Sequence, residues 1–197
     1  MTDSLTKSIR ANPNGDIPAI DDSAYIDPTA QIIGNVRIGA KVYIGPYAVI
    51  RADECDETGK VHAIEIGDEC NIQDGVIIHA LSGTKVTIGK RNALAHGCIV
   101  HGPCEIGDDC FIGFRAVVYK SLLGDMSFIN AGAIVQDTEL ESKTLVGAGQ
   151  TILCNEDAMK KAGIAGNAEK EFTTKVVKAN LTLTKGYNEL LNSDRDI

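Results

Sequence analysis

Three of the chain's four histidines lie close together in the sequence, and their imidazoles could jointly bind a metal ion. His96 and His101 belong to the segment L-A-H-G-C-I-V-H-G, and His79 follows two isoleucines upstream. Three imidazoles that leave one coordination position open are a ligand set of catalytic zinc sites. Whether these side chains can meet depends on the elements that position them.

A six-residue period in the surrounding sequence predicts those elements. Aliphatic residues recur at this spacing with a few interruptions, and a small residue precedes most of them by two positions. The recurring residues are Ile26, Ile32, Ile38, Ile44, Ile50, Ile66, Ile72, Ile78, Ile88, Leu94, Val100, Ile106, Ile112, Val118, Leu123, Ile129, Val135, Val146 and Ile152. This period fits neither an amphipathic helix nor simple strand alternation, and it is typical of hexapeptide β-helices. We therefore expect a triangular prism in which three hexads form one coil and the aliphatic residues point inward.

The periodic region divides the chain into three parts. Residues 24–155 are expected to form the β-helix, and the polar residues 1–23 are expected to form an extended arm before it. Residues 156–197 are expected to be a helical segment that caps the prism or lies along its side. Apolar residues of this segment recur at helical spacing on one face. They are Phe172, Val176, Ala179, Leu183, Tyr187 and Leu190.

Four of the six cysteines have a structural explanation. They occupy the small position of the repeat, so we expect them to be small buried hydrophobic residues. They are Cys70, Cys98, Cys104 and Cys110. Cys55 and Cys154 lie at the edges of the repeat, and the pattern assigns them no role.

The composition argues against several classes of function. A net charge of -8 and an isoelectric point near 5.0 do not suit a nucleic-acid surface. No apolar run approaches the ~20 residues that span a bilayer, and the first residues lack the apolar core of a signal peptide. We expect a cytoplasmic protein that binds neither nucleic acid nor a membrane.

Counting hexads assigns the functional candidates to sides of the prism. Ile26 is placed on side A, and the interruption after Ile50 is counted as replacing one side C. The count then places Ile50, Ile72 and Leu94 on side B, and Ile78 and Val100 on side C. On this count the outer corner of side B carries Arg51, Asp53, Gln73, Asp74 and His96. We expect this polar corner to face the other two histidines.

The same count predicts how the three histidines meet. His79 and His101 each follow an inward residue by one position on successive coils, ~4.8 Å apart, so both can reach one metal ion. His96 precedes His101 by five residues, on the order of 16 Å along an extended chain, and cannot join the pair within one chain. It can join the pair of another copy, in a contact that closes as a three-fold ring. We therefore expect a homotrimer with a metal site at each subunit interface.

Several segments closely resemble the γ-class carbonic anhydrases. They are R-A-D-E at 51–54, N-I-Q-D-G-V-I-I-H-A-L at 71–81, A-H-G-C-I-V-H-G-P at 95–103, I-G-D-D-C-F-I-G-F-R-A at 106–116 and A-N-L-T-L-T-K-G-Y at 179–187. The resemblance implies a left-handed β-helix homotrimer with a C-terminal helix, and reversible hydration of CO2 to bicarbonate by a metal-bound hydroxide. It implies Zn2+, with Fe2+ or Co2+ as alternatives, bound by His79 and His101 of one subunit and His96 of its neighbour.

The resemblance also implies roles for residues around the metal. Arg51 and Asp53 look like the family's intersubunit ion pair. Gln73 looks like the residue that hydrogen-bonds the metal-bound hydroxide. Asn71 and Asn180 match positions linked to the site and to CO2 or bicarbonate.

Proton transfer is the point at which this chain departs from the family. Glu54 matches a position that transfers protons, and it lies near the mouth of the expected site. After Leu81, however, the best-characterised members carry a long acidic loop that begins with a proton-shuttling glutamate. Here that residue is Ser82, and the loop is reduced to S-G-T-K. We therefore expect catalysis with slow proton transfer.

Two other classes of function stay open at the level of sequence. A hexapeptide-repeat acyltransferase or CoA thioesterase would also have sites at trimer interfaces and a histidine as general base. The interruption at 54–62 is acidic, which makes it a poor cradle for the phosphates of CoA. The other alternative is a catalytically weak, metal-binding scaffold of the same fold, which the loss of the acidic loop favours.

Overall fold

Short parallel strands wind into a three-sided left-handed β-helix, as the six-residue period predicts. The computed structural model describes residues 8–193, and the strands within them form two sheets in which neighbouring strands belong to successive coils. The inward aliphatic residue of one coil stacks on that of the next, as Ile44, Ile72 and Leu94 do. The predicted class, a parallel β-helix with a C-terminal helix, is confirmed.

The sides A, B and C are defined here by the strands that stack along them. Side B contains β1 (Ile9–Arg10), β4 (Gln31–Gly34), β7 (Val49–Ala52), β10 (Ile77–His79), β17 (Ile134–Gln136) and β20 (Thr151–Ile152). Side C contains β2 (Ala19–Ile20), β5 (Val36–Ile38), β8 (Ile64–Ile66), β11 (Val86–Ile88) and β18 (Glu139–Leu140). Two longer strands turn the corner from side B to side C, namely β13 (Ile99–Ile106) and β15 (Val117–Leu123). Side A contains β3 (Tyr25–Ile26), β6 (Tyr43–Ile44), β9 (Asn71–Ile72), β12 (Ala93–Leu94), β14 (Phe111–Ile112), β16 (Phe128–Ile129), β19 (Thr144–Val146) and the antiparallel β21 (Gly163–Ile164).

The core is a column of aliphatic side chains with small residues between them. The four cysteines assigned to the small position are buried, and burial raises the pKa of the Cys70, Cys98 and Cys110 thiols to about 12. These cysteines are therefore protonated packing residues, as predicted. Cys55 is exposed and Cys154 is partly buried.

The interruption after Ile50 does not replace a side of the prism. Ile50 pairs with Ile78 on side B, and Ile66 pairs with Ile38 on side C. The interrupting residues therefore form an excursion from the corner between sides B and C. The expectation that Ile72 shares a side with Ile50 is wrong, because aliphatic spacing alone does not distinguish an inserted loop from a replaced strand.

Residues of the expected N-terminal arm lie against the first coils. Strand β1 pairs with β4 on side B, and β2 pairs with β5 on side C. Residues 1–7 of the arm and residues 194–197 of the helical segment lie outside the described part of the chain.

Two helices follow the prism, α1 (Asn155–Lys161) and α2 (Asn167–Ser193). The second packs along side A, against β3, β6, β9 and β12, which is one of the two expected placements, the other being a cap on the prism. Neither helix in residues 8–193 combines the length and apolar character needed to cross a membrane.

The most buried row of α2 is not the apolar row expected from the sequence, although Phe172 and Tyr187 of the apolar row pack on Phe111 and Tyr25 of side A. The buried residues are Thr173, Val177, Asn180 and Thr184, one position away from that row. Phe172 is 44% exposed and Leu190 is 60% exposed. Polar residues can be buried here because helix carbonyls accept their hydrogen bonds, as Val176 O does from Asn180 Nδ2 at 2.9 Å. Hydrophobic periodicity therefore identified the helix but not its most buried row.

Val177→Ala is expected to lower the free energy of unfolding by ~1–2 kcal/mol, because it removes buried methyl groups between α2 and side A. Leu183→Ala, on the exposed row, is the matched control and should change the free energy of unfolding by less than ~0.5 kcal/mol. Urea unfolding followed by circular dichroism measures both. A larger loss for Leu183→Ala would mean that the exposed row makes the stabilising contact.

Candidate metal centre

Two histidines meet at the corner where side B turns into side C. His79 ends β10 and His101 lies in β13, and the two residues are partners in register. His79 Nδ1 and His101 Nε2 are 3.0 Å apart, and the ring centroids are 4.8 Å apart. We name this turn corner BC. The prediction that these two imidazoles stack on successive coils at one corner is confirmed by this register.

Both imidazoles are in a state that suits metal binding. Burial, with Arg51 adding to it, lowers the pKa of His79, which favours the neutral ring that ligates metals. His79 Nε2 is buried without a hydrogen-bond partner. His101 Nδ1 lies 3.3 Å from Gly102 O, a contact that orients the ring so that Nε2, the nitrogen next to His79 Nδ1, is the one that would bind a metal ion. The residues present therefore fit a metal ion held by nitrogen ligands.

Arg51 and two carboxylates share corner BC with the histidine pair. Arg51 is the register partner of His79, and its Nη1 donates to Asp53 Oδ1 at 2.7 Å and Oδ2 at 3.0 Å. Glu54 Oε1 lies 3.3 Å from His79 Nε2. The expectation that Arg51 and Asp53 share a corner with Gln73 and His96 is wrong, because the residues after Ala52 loop out and do not replace a strand.

The short loop that replaces the family's acidic loop contacts Glu54 directly. Ser82 donates its backbone N–H to Glu54 Oε2 at 3.1 Å and its hydroxyl to Cys55 O at 2.6 Å. Ser82 occupies the position at which the resemblance would place a proton-shuttling glutamate. Its backbone N–H instead holds the Glu54 carboxylate beside the histidine pair.

His96 lies at the opposite edge of side B, at the turn from side A, which we name corner AB. Its side chain is 51% exposed, and Nδ1 lies 3.4 Å from Asp74 Oδ2. The ring stacks on Phe114, with centroids 5.7 Å apart and an interplanar angle of 9°. The contact between Asp74 and Nδ1 leaves Nε2 as the atom available to a metal ion. The hexad count predicts that Asp74 and His96 share one corner, and this contact agrees with that prediction.

Asp74→Asn is expected to weaken metal binding by about tenfold, because it removes the charge that orients the His96 ring. Asp68→Asn is the matched control, since Asp68 occupies the same position after its inward residue on the preceding side. Competition with a chromophoric chelator measures both affinities. Equal losses in the two variants would rule out an orienting role for Asp74.

Three amide side chains meet beside His96, although they come from distant parts of the sequence. Gln73 Nε2 donates to Asn71 Oδ1 at 3.1 Å and to Asn180 Oδ1 at 3.3 Å. Asn71 is 1% exposed, and its Nδ2 has no hydrogen-bond partner. A cavity of about 240 Å³ opens onto these amides and His96, with Phe111, Phe114, Phe172 and Val176 among its walls. It offers one unpaired donor in a mainly apolar space.

The candidate residues therefore form two half-sites on one chain. Corner BC holds His79 and His101 with Arg51, Asp53 and Glu54, and corner AB holds His96 with Gln73, Asn71 and Asn180. Within residues 8–193, no three histidine, cysteine or acidic side chains converge in a geometry that could hold a metal.

Tyr119 belongs to this region and was missed by the sequence analysis. It is the register partner of His101, and its ring meets the His101 ring edge to face at 5.3 Å. Like both histidines, it follows an inward residue by one position, so the hexad count contained the signal. Its aromatic character made an ordinary packing role equally compatible with the sequence.

The chain is similar to proteins of known name over most of its length. It is 34% identical to a carbonic anhydrase of Methanosarcina thermophila over 198 residues, which cover 90% of this chain and 78% of that protein. It belongs to the γ-class carbonic anhydrase family. The family model described as bacterial transferase hexapeptide (six repeats) also matches residues 18–52 and 85–120.

Proteins related to this chain, by sequence or by fold, carry names that describe different functions. The chain is 33% identical over 178 residues to the carboxysome assembly protein CcmM of a Nostoc species, and covers 31% of that longer protein. The structure of a hexapeptide transferase family protein from Anaplasma phagocytophilum is similar with a TM-score of 0.70 and 26% identity, covering 90% of this chain and 96% of that one. Membership of the family therefore points to a carbonic-anhydrase-like site without fixing its activity.

Proposed function

We propose that this protein is a homotrimeric metalloenzyme that hydrates CO2 reversibly to bicarbonate at its three subunit interfaces. The observation that carries the proposal is the position of the two half-sites at the two edges of side B. Both half-sites present imidazole ligands. Neither contains all three histidines within one chain, so each needs the other half-site from a second copy. A ring of three copies brings corner AB of one subunit to corner BC of the next.

Side B itself has the surface expected of the face that lies inside such a ring. Its outward residues form a continuous apolar column of Ile77, Ile99, Val117 and Ile134, which are register partners on successive coils. Ile77 is 41% exposed in the single chain. Exposed apolar columns of this kind mark protein interfaces. Packing three B sides around one axis would bury the column and complete each metal site.

The metal would be held by His79 and His101 of one subunit and His96 of the partner subunit. Zn2+ fits three neutral imidazoles, and Fe2+ or Co2+ suits the same set. When bound, such an ion lowers the pKa of a bound water to about 7 and so supplies hydroxide at neutral pH. Burial of His79 keeps its ring neutral for this purpose.

The remaining residues bind, orient and accept protons. Gln73 lies beside His96 with both of its amide hydrogens engaged, so its Oε1 is left to accept a hydrogen bond at the site. The unpaired Asn71 Nδ2 can donate to an oxygen of CO2 or bicarbonate. Glu54, in contact with His79, is the nearest carboxylate able to accept the proton released in each turnover. Arg51 holds Asp53 at the edge that would face the partner subunit.

Hydrolysis or transfer of an acyl group is a second candidate function. The cavity of about 240 Å³ beside His96 has aromatic walls and is larger than CO2 requires. The short loop at Ser82 leaves corner BC less covered than a long acidic loop would. A catalytically weak scaffold remains the third alternative, in keeping with the similarity to an assembly protein. The cytoplasmic location expected from the sequence stays a prediction.

Three measurements test the proposal. Metal analysis of anaerobically purified protein should find about one metal ion per subunit, and sedimentation should find a trimer. Stopped-flow CO2 hydration, with zinc and then with iron, should give a rate that His96→Ala abolishes. A wild-type protein that is inactive towards CO2 but hydrolyses acyl-CoA would establish the second candidate instead.

A further inference from the structure

The fourth histidine, His62, lies in the excursion that begins at corner BC. His62 Nε2 lies 2.9 Å from Asp56 Oδ2, and the His62 side chain is partly exposed. None of the roles assigned above involves either residue. His62 was not among the candidates from the sequence, because it lies outside the repeat. The hexad count therefore does not place it relative to the other histidines.

The excursion is a small hairpin that sets His62 across from Glu54. Cys55 and Val61 form an antiparallel bridge, and Asp56 donates its backbone N–H to Lys60 O at 2.9 Å. Residues that flank an antiparallel bridge lie opposite each other with Cβ atoms ~5 Å apart and share one face. Glu54 and His62 are therefore opposite one another, and Asp56 lies on the same face.

Asp56 is held as a fixed anion that orients His62. Its Oδ1 accepts hydrogen bonds from Thr58 Oγ1 at 2.6 Å, from Thr58 N at 2.8 Å and from Lys60 N at 3.0 Å. The hydrogen bond from the Thr58 hydroxyl, followed by those from Lys60 N and His62, holds the pKa of Asp56 well below its usual range. The second oxygen is thereby directed to the imidazole. A carboxylate that fixes one ring nitrogen leaves the other free to bind and release a proton.

Resting on the proposed function, we infer that His62 receives the proton that leaves the metal centre and passes it to solvent buffer. Glu54 lies opposite His62 at the base of the hairpin and contacts His79 with Oε1, so one side chain separates His62 from the histidine pair. The Asp56–His62 pair thus takes over the work that an acidic loop would otherwise perform.

The step moves a single proton and forms no other bond. Each conversion of CO2 and water to bicarbonate releases one proton. The proton leaves the site as hydronium in the surrounding water, and the free His62 nitrogen accepts it as an N–H and releases the water. A buffer base removes it from His62, which restores the neutral ring. Imidazole suits this task because its usual pKa lies near neutral pH.

Oxygen-18 exchange between CO2 and water at chemical equilibrium tests the inference, because it separates CO2 interconversion from proton-dependent release of labelled water. In the metal-loaded trimer with little buffer, His62→Gln is expected to slow water release on the order of tenfold and to leave CO2 interconversion unchanged. Added imidazole should restore the water-release rate. Metal content and melting temperature should equal those of the wild type, since glutamine can keep the hydrogen bond to Asp56.

Lys60→Gln is the matched control, because Lys60 lies on the same hairpin and its side chain takes no part in the relay. It should leave both exchange rates unchanged. If His62→Gln slows both rates equally and imidazole restores neither, the role of His62 is structural and the inference is overturned. An unchanged water-release rate overturns it as well. A wild type without CO2 interconversion instead overturns the proposed function, and this inference with it.

Discussion

Mixing His96→Ala subunits with His101→Ala subunits is expected to restore about a quarter of the wild-type CO2 hydration rate, although each variant alone is inactive. Each site in the proposed ring takes His96 from one subunit and the other two histidines from its neighbour. With random assembly of equal amounts, the two intact contributions meet at about one interface in four. Each homotrimer should lose metal affinity by more than ~100-fold, the upper limit seen for residues that only support a ligand.

The mixing experiment distinguishes shared sites from sites within one chain. The variants are unfolded together, refolded in equal amounts and loaded with zinc before stopped-flow assay. Refolding each variant separately and combining the trimers afterwards is the control, and that sample should stay inactive. Sites built within single chains would remain inactive in both samples. Recovery well above a quarter would show that a site works without one of these histidines.

Ile78→Ala is expected to lower the free energy of unfolding by ~2–5 kcal/mol, because it opens a cavity in a core that cannot collapse around it. Ile78 is fully buried and lies in register between Ile50 and Val100 on the neighbouring coils. The rigid spacing of stacked strands limits how far these neighbours can move. Chemical denaturation at a fixed protein concentration measures the loss.

Two variants serve as controls for Ile78→Ala. Ile78→Val removes one methylene and should cost ~0.5–1.5 kcal/mol. Ile77→Ala changes the adjacent, outward residue of the same strand, and we expect it to weaken trimer assembly more than the folding of each subunit. If Ile77→Ala and Ile78→Ala destabilised the subunit equally, the alternation of inward and outward residues on side B would be wrong.

The sequence alone determined the repeat, the inward residues and the stacking of His79 with His101. These follow from local chemistry, because the hexapeptide β-helix is the structure that buries aliphatic residues recurring every six positions. The burial of the four cysteines in the small position followed for the same reason. The hexad count also named Gln73, and resemblance to the family added Asn71 and Asn180; the structure brings these three amides together across side A and α2.

Only the tertiary structure decided how the interruptions are accommodated. Whether the residues after Ile50 replace a strand or loop out depends on pairing between distant coils, which aliphatic spacing does not record. That pairing places Arg51 and Asp53 beside His79 and His101 at corner BC. It also placed His62 opposite Glu54 on a hairpin.

The contact face of α2 was likewise decided by packing. The sequence predicted the helix from its apolar row, yet the prism buries the neighbouring row that contains Thr173, Asn180 and Thr184. These polar side chains are buried at little cost because helix carbonyls and Gln73 satisfy them. Hydrophobicity measures the free energy of transferring a side chain out of water. It does not include the hydrogen bonds that the side chain makes in the folded protein. Those hydrogen bonds exist only once the chain has folded.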